Sequence, residues 1–266
     1  MFNEEQLKRY SRHFVLKGIG AGGQKRLLAS KVIVIGAGAL GSISIPYLAA
    51  AGVGTVGVAD FDSVDISNLH RQILYGTSDS GKSKAETAAK KIAEINPDVT
   101  AVPLNVRVTC DNITDIICDY DFVVDATDRF ETKFLINDAC VLSGKPYSHA
   151  GVVRYGGQAM TYVPGKGPCL RCLLEEVPEN SFTCSEAGVL GPCAGIIGSV
   201  QASECIKYLT GSENLLTGKV FTYDAETLSS RITGFRKNSS CLICSENAEI
   251  KTIHDRENDY VVKGCG

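Results

Sequence analysis

The sequence predicts an α/β fold, a doubly wound and mostly parallel sheet continued by antiparallel strands. Three observations lead to it. Apolar β-branched runs alternate with helical patterns through the first 150 residues, the order that yields a parallel sheet with helices on both faces. A glycine turn, Gly36-x-Gly38-x-x-Gly41, stands between the first such run and the first helical stretch. After Gly151 the alternation gives way to strand-like stretches that can pair with one another.

Each element follows from its local pattern. Lys31–Ile35 is a short apolar, β-branched strand. Leu40–Ala51 is helical in period, with small residues on one side, and Thr55–Asp60 is a second strand. Lys82–Ile95 is an amphipathic helix ending at Asn96-Pro97-Asp98, where proline forbids continuation. Thr100–Leu104 is a third strand, Asn112–Cys118 a short helix and Asp121–Asp125 a fourth strand. Glu131–Leu142 is a helix with Gly144 just past its end, a common stop. Pro146–Ala150 is a fifth strand. Further on, Gly157–Val163 and Lys219–Tyr223 read as strands, Leu228–Phe235 can pair with the latter, and Cys193–Leu209 is a long helix. The stretch after Cys244 is polar and shows no core pattern, so poor order is expected there. One domain over 1–245 is expected, divided near 150, with 246–266 as a tail.

Composition removes several function classes. A hydrophobic content of 44% suffices for a core, and a net charge of −3 offers no basic field for nucleic acid. The longest apolar stretch, YLAAAGVGTVGVA, is cut by glycines, so no membrane span is expected. The charged opening MFNEEQLKRYSRHF lacks the apolar centre of a signal peptide. Of eleven cysteines, Cys110, Cys118, Cys140, Cys184, Cys193, Cys205 and Cys265 are scattered without pairing logic. Most of these suit the role of small buried hydrophobes. A reducing cytoplasm is the expected location.

Gly36, Gly38 and Gly41 directly follow a strand and open a helix, and Asp60 ends the next strand, 19 residues beyond Gly41. That setting marks a Rossmann-like nucleotide-binding turn. Glycine lets the turn be tight and lets a phosphate approach the backbone, while the helix N-terminus offers unpaired N–H groups to an anion. The acidic residue accepts from ribose hydroxyls. In this context a turn that merely needs small residues is the weaker reading.

The residues that follow bear on the ligand. DFDSVDISNLHRQILY places Asn68, Arg71 and Gln72 just beyond the carboxyl edge of the sheet, and GKSKAETA puts Lys84 in the first turn of the next helix. NAD carries only a pyrophosphate, which a glycine turn handles alone. Two added cations and an amide favour the triphosphate of ATP. Taken singly, Arg71 or Lys84 would be read as a solvated surface residue.

Six separated motifs resemble the MoeB/ThiF family of sulfur-carrier adenylyltransferases, relatives of ubiquitin-activating enzymes. They are RYSRHFVLKGIGAGGQKRLLASKVIVIGAGALGS, DFDSVDISNLHRQ, GKSKAETA, INPDV, VVDATDRF and CLRC with CLIC, in order over about residues 5–245. The resemblance implies ATP-dependent adenylation of the C-terminal glycine of a small ubiquitin-like sulfur carrier with a Gly-Gly tail. It implies that Arg71 and Lys84 bind phosphate, that Asp60 contacts ribose, and that Asp128 helps place Mg²⁺ and the adenylate. Ser67, Asn68, Gln72 and the turn residues Gly36, Gly38, Ala39 and Gly41 complete the implied ATP site. Arg12 matches an arginine that such enzymes supply across a homodimer interface. Three departures stand out. Arg129 follows the key aspartate where asparagine is common, and joins the ATP set as an extra cation that can touch phosphate or alter how the carrier tail docks; Ala39 replaces a frequent glycine, and His70 sits between Leu69 and Arg71, where a surface or packing role is expected.

Cys169 with Cys172, and Cys241 with Cys244, form two C-x₂-C pairs separated by 68 residues. Four thiolates make a closed tetrahedral set, so a structural Zn²⁺ is expected, against disulfides or plain buried thiols as the alternative. The half from about 151 to 245 would then hold the zinc and the carrier, and the half before it the nucleotide. Cys184 lies in SFTCSEAGVLGP. In the thiamine branch of the family the matching cysteine can link to the activated carrier, so a sulfur-relay role stands beside a spectator role. The chain carries no rhodanese-like region, so a separate persulfide donor protein is expected. The alternative function is adenylation of a non-protein substrate, such as a modified tRNA adenosine, or of a short peptide. Mild acidity argues against the tRNA.

Overall fold

The computed structural model describes residues 2–178 and 187–261. Five strands alternate with helices as the periodicity demands. They are β1 (Lys31–Ile35), β2 (Thr55–Ala59), β3 (Thr100–Leu104), β4 (Phe122–Asp125) and β5 (Tyr147–Val153). Three more follow, β6 (Gly156–Tyr162), β7 (Lys219–Asp224) and β8 (Ser229–Gly234). The helices are α1 (Glu4–Arg9), α2 (Ser11–Phe14), α3 (Gly20–Ala29), α4 (Gly41–Ala51), α5 (Lys84–Ile95), α6 (Ile113–Ile117), α7 (Phe130–Leu142), α8 (Leu170–Leu173) and α9 (Gly191–Leu209).

Among the described residues the strands form one sheet in the order β3-β2-β1-β4-β5-β6-β7-β8. The first five are parallel and the last three antiparallel. The register sets Ala59, Ile35, Asp125 and His149 side by side across β2, β1, β4 and β5. The alternation of side chains along a strand then builds two cores, one on each face. Val32, Val34, Val56, Val58 and Val124 pack with Leu48, Ile92 and Ile197 on one face. Ile33, Ile35 and Val123 pack with Phe134, Ile136 and Tyr147 on the other.

The structure departs from the sequence reading in β5 and in the tail, and adds helices at the N-terminus that the reading leaves unassigned. β5 runs on to Val153 because it forms the first arm of a hairpin, with Gly151 opposite Gln158 and Val153 opposite Gly156. The charged N-terminus is helical. A capping box starts α1, with Gln6 N donating to Asn3 Oδ1 at 2.7 Å and Asn3 N to Gln6 Oε1 at 3.2 Å. Tyr10 then buries itself and accepts from Asn96 Nδ2 at 2.8 Å, tying this end to the end of α5. The polar tail is the other departure. Its Ile250, Ile253 and Tyr260 are buried in the second core, and residues Ile253–Tyr260 form 3₁₀ turns. Polar contacts fix it as well. Tyr260 Oη donates to Asp138 Oδ2 at 2.6 Å, and buried Arg171 bridges Asp138 at 2.7 Å and Asp259 at 3.0 Å.

Candidate nucleotide and acyl-substrate cleft

The parallel strands deliver their carboxyl ends to one edge of the sheet, where doubly wound folds bind ligands. A cleft of about 1480 Å³ lies there. Its wall begins at the glycine turn after β1. Gly36 has φ +94°, and a Cβ on it would lie 2.7 Å from the carbonyl oxygen of Ala126. A Cβ on Gly41 would lie 2.1 Å from the carbonyl oxygen of Gly36, so both glycines are required by the turn itself. Gly38 and Ala39 line the cleft, and no side chain caps α4 behind them. Gly41 is not on the wall; it supports the turn from inside.

Asp60 follows β2 and is tied to that turn. Its Oδ2 accepts from Ala37 N at 2.7 Å and its Oδ1 from Asp62 N at 2.8 Å. Burial pushes its carboxyl above the usual range, against the pull of those two N–H groups and of Lys84. The turn is held from its other side by buried Tyr75, whose Oη donates to the carbonyl of Ala37 at 2.9 Å.

Arg71, Asn68 and Gln72 line the same cleft, as does Lys84. Arg71 is aimed by two bonds, Nη2 to Asn68 Oδ1 at 2.8 Å and Nη1 to the carbonyl of Ser67 at 3.3 Å. Lys84 is the first residue of α5, 5% exposed, with its ammonium 3.1 Å from Asp62 Oδ2. Ser67 is the one member of this loop set that does not reach the wall. Its N–H and hydroxyl are both spent on Asp65 Oδ1, and its carbonyl holds Arg71. His70 is exposed, with Nε2 3.4 Å from Arg71 Nη1, in agreement with a surface role.

Asp128 and Arg129 follow β4 and also line the cleft, both exposed. The Asp128 carboxylate makes no hydrogen bond or ion pair among the described residues. A free carboxylate suits a hard cation such as Mg²⁺. Arg12, on α2, is exposed and lies outside this cleft. Cys184 falls outside the described residues.

Sequence reasoning missed a polar cluster set into the cleft wall, with Lys133 and His149 on the lining and Asp125 behind them. Asp125, Lys133 and His149 are all nearly inaccessible, at 0%, 3% and 2% exposure. Lys133 Nζ lies 3.4 Å from both oxygens of Asp125 and donates to the carbonyl of Ala150. His149 Nδ1 lies 2.9 Å from Asp125 Oδ2, and Thr127 Oγ1 donates to Asp125 Oδ1 at 2.6 Å. Burial alone would raise the Asp125 carboxyl, but Lys133, His149 and Thr127 more than offset it and hold it at about 2. Burial lowers His149, helped by Lys133 and opposed by Asp125, so the imidazole is kept neutral. The only sequence signal was a polar residue at the carboxyl end of each of two neighbouring parallel strands.

The four knuckle cysteines come together as their spacing predicts. Cys169 and Cys241 sulfurs lie 3.6 Å apart and those of Cys172 and Cys244 3.3 Å apart, with all four within 4.8 Å of one another. Disulfide sulfurs would lie about 2.05 Å apart, whereas a tetrahedral zinc with bonds of about 2.3 Å sets its sulfurs about 3.8 Å apart. The set therefore fits Zn²⁺ and excludes disulfides. Cys169 and Cys241 are buried and Cys172 and Cys244 half-buried, and four thiolates would fill a tetrahedral metal's positions.

The fold and the cleft define a nucleotide-binding α/β protein. The chain belongs to the ThiF family, whose model matches residues 10–243. It is 43% identical over 258 residues to the SAMP-activating enzyme E1 of Haloferax volcanii, covering 96% of this chain and 94% of that protein. It is 41% identical over 263 residues to the sulfur carrier protein adenylyltransferase of Thermus thermophilus, covering 96% and 97%. The crystal structure of E. coli MccB with ATP superimposes with a TM-score of 0.79 at 25% identity, over 89% of this chain and 74% of that one. Among the described residues no helix is long and apolar enough to cross a membrane.

Proposed function

We propose that the protein adenylates the C-terminal glycine carboxylate of a small ThiS- or MoaD-like ubiquitin-like sulfur carrier, consuming ATP and releasing pyrophosphate. The cleft carries this reading. At about 1480 Å³ it exceeds the roughly 300–1,000 Å³ of a small-molecule pocket, and its wall changes character along its length. The Gly36–Gly41 turn, Asp60, Arg71 and Lys84 suit a nucleotide. The far side, lined by Gly151, Val152, Gly156 and Gly157, suits an extended peptide tail without side chains.

The chemistry needs these residues. A carboxylate must approach the α-phosphate of ATP, and two anions in a poorly hydrated site repel by several kcal/mol. Asp60 holds the ribose, and the glycine turn with the α4 N-terminus receives phosphate oxygens. Arg71 and Lys84 neutralise the charge that builds on departing pyrophosphate. Asp128, with Arg129 beside it, stands where the two substrates meet; its carboxylate would hold a Mg²⁺ that supplies further charge neutralisation when bound. Arg12 is assigned to the ATP of the partner subunit in a homodimer, and its place outside its own cleft is what such a role requires. Zn²⁺ in the four-cysteine set is structural. Sulfur comes from a separate persulfide donor, and Cys184 is a candidate relay for it.

Carrier-dependent exchange of pyrophosphate into ATP tests the reading. Exchange is expected with a purified ThiS-like carrier ending in Gly-Gly, and Asp128→Ala should lower it at least 100-fold while the protein stays folded. Exchange that ignores the carrier, but appears with a short peptide or with tRNA, would move the assignment to the runner-up substrates.

A further inference from the structure

His149 has one ring nitrogen that the protein itself does not use. Its Nδ1 faces Asp125 Oδ2 at 2.9 Å. Asp125 also accepts from Thr127 and pairs with Lys133, so it is an ionised acceptor and Nδ1 must carry the proton. Nε2 of the neutral ring is then a bare acceptor. It is buried and has no hydrogen-bond partner, although His149 lines the cleft. An unmet buried acceptor costs about 1–3 kcal/mol, which a ligand donor arriving in the cleft would recover.

The position selects the donor. His149 sits on β5, two strands from β1 along the sheet, or about 10 Å at the usual strand spacing. The donors of ATP, its ribose hydroxyls and adenine amine, belong at the Asp60 end of the cleft. Its phosphates are ionised and offer no proton. The attacking carboxylate offers none either. What remains on the His149 side is the backbone N–H of the peptide tail, on a stretch of wall where Gly151 leaves open space in place of a side chain.

We infer that His149 Nε2 accepts a hydrogen bond from one of the last two backbone amides of the acyl substrate, with Asp125 and Lys133 as positioning residues that fix its tautomer. This rests on the adenylation reading above and names how that same site grips the tail. It makes His149 a substrate-binding residue that sets the register of the terminal carboxylate against the α-phosphate.

The test compares His149→Asn, whose amide keeps the bond to Asp125 but loses Nε2, with His149→Gln, whose carboxamide oxygen can reach the Nε2 position. In carrier-dependent pyrophosphate exchange, His149→Asn should raise KM for a ThiS-like Gly-Gly carrier about 3- to 10-fold, the size of one neutral hydrogen bond. The KM for ATP should stay within twofold, and His149→Gln should recover part of the loss. A semisynthetic carrier with its last two amides N-methylated in turn needs no change to the enzyme. One of the two methylations should raise the wild-type KM by a similar factor and add nothing in His149→Asn, the signature of a shared contact. Unchanged KM in His149→Asn, or losses that multiply for both methylated carriers, would overturn the inference while leaving the adenylation reading intact. A wild-type protein that shows no carrier-dependent exchange would remove both.

Discussion

At the cleft wall, one buried lysine, Lys133, compensates one buried carboxylate, Asp125. Removing Lys133 strands Asp125 without its cation, and breaking such a pair typically costs about 3–5 kcal/mol. Lys133→Met should therefore lose about that much in urea unfolding, and adding Asp125→Asn should restore part of it. The pH dependence has two windows with one sign. His149 is lowered in the folded protein, so its contribution is full above the unfolded value near 6.5 and declines as pH falls below that. Asp125 is held at about 2, so its contribution persists to about pH 3.8 and is lost as pH falls toward 2. His149→Asn should flatten the first window and leave the second. Residues with motif context were legible in the sequence. Asp60, Arg71, Lys84 and Asp128 stand on the cleft wall where the spacing puts them. Asp125, Lys133 and His149 were not, because nothing in a linear sequence marks a strand-end aspartate and a residue 24 positions later as side-by-side neighbours. Ser67 differs from Asp60, Arg71, Lys84 and Asp128, a loop residue whose hydroxyl bonds Asp65 and which stands off the cleft wall.

At the scale of elements, the strands and the long helices were legible because their periodicity is strong. The sequence pattern ends β5 at Ala150, since Gly151 with Gly156 and Gly157 close behind it reads as the start of a loop. The tail hid its role for a different reason. Its three buried anchors are too widely and irregularly spaced to form a pattern, and much of its attachment runs through Arg171, Asp138 and Asp259. The four-cysteine set joins α8 to the segment that precedes this tail. Metal analysis should find one zinc per chain. Cys241→Ser should lower thermal stability by several degrees or more while reducing exchange at low temperature by less than threefold, because a closed site leaves zinc no place in the chemistry.

For the whole molecule, the alternation of strand and helix foretold the parallel half of the sheet, and the change after Gly151 foretold its antiparallel continuation. Assembly is a property that a single chain does not display. If Arg12 serves the neighbouring cleft, mixing Arg12→Ala subunits with Asp128→Ala subunits should restore activity that neither variant has alone, at about one working site per mixed dimer. Mixed dimers that form but stay inactive, as judged by differently tagged subunits, would place Arg12 outside the reaction.

The reversal of strand direction at β6 has a consequence for how such a molecule can change. Past that point the rim of the cleft is no longer made of strand ends leading into helices; it is made of the strand residues that flank two hairpin bends, Val153 and Gly156 at one and Asp224 and Ser229 at the other. The exposed turn at residues 226–228 tolerates insertion and replacement far better than the tight joint at Gly36, where an added Cβ would meet the Ala126 carbonyl. On the proposed adenylation reading, grip on the fuel would then lie with the rigid half, and choice of cargo with the half whose rim can be edited at less cost to the fold.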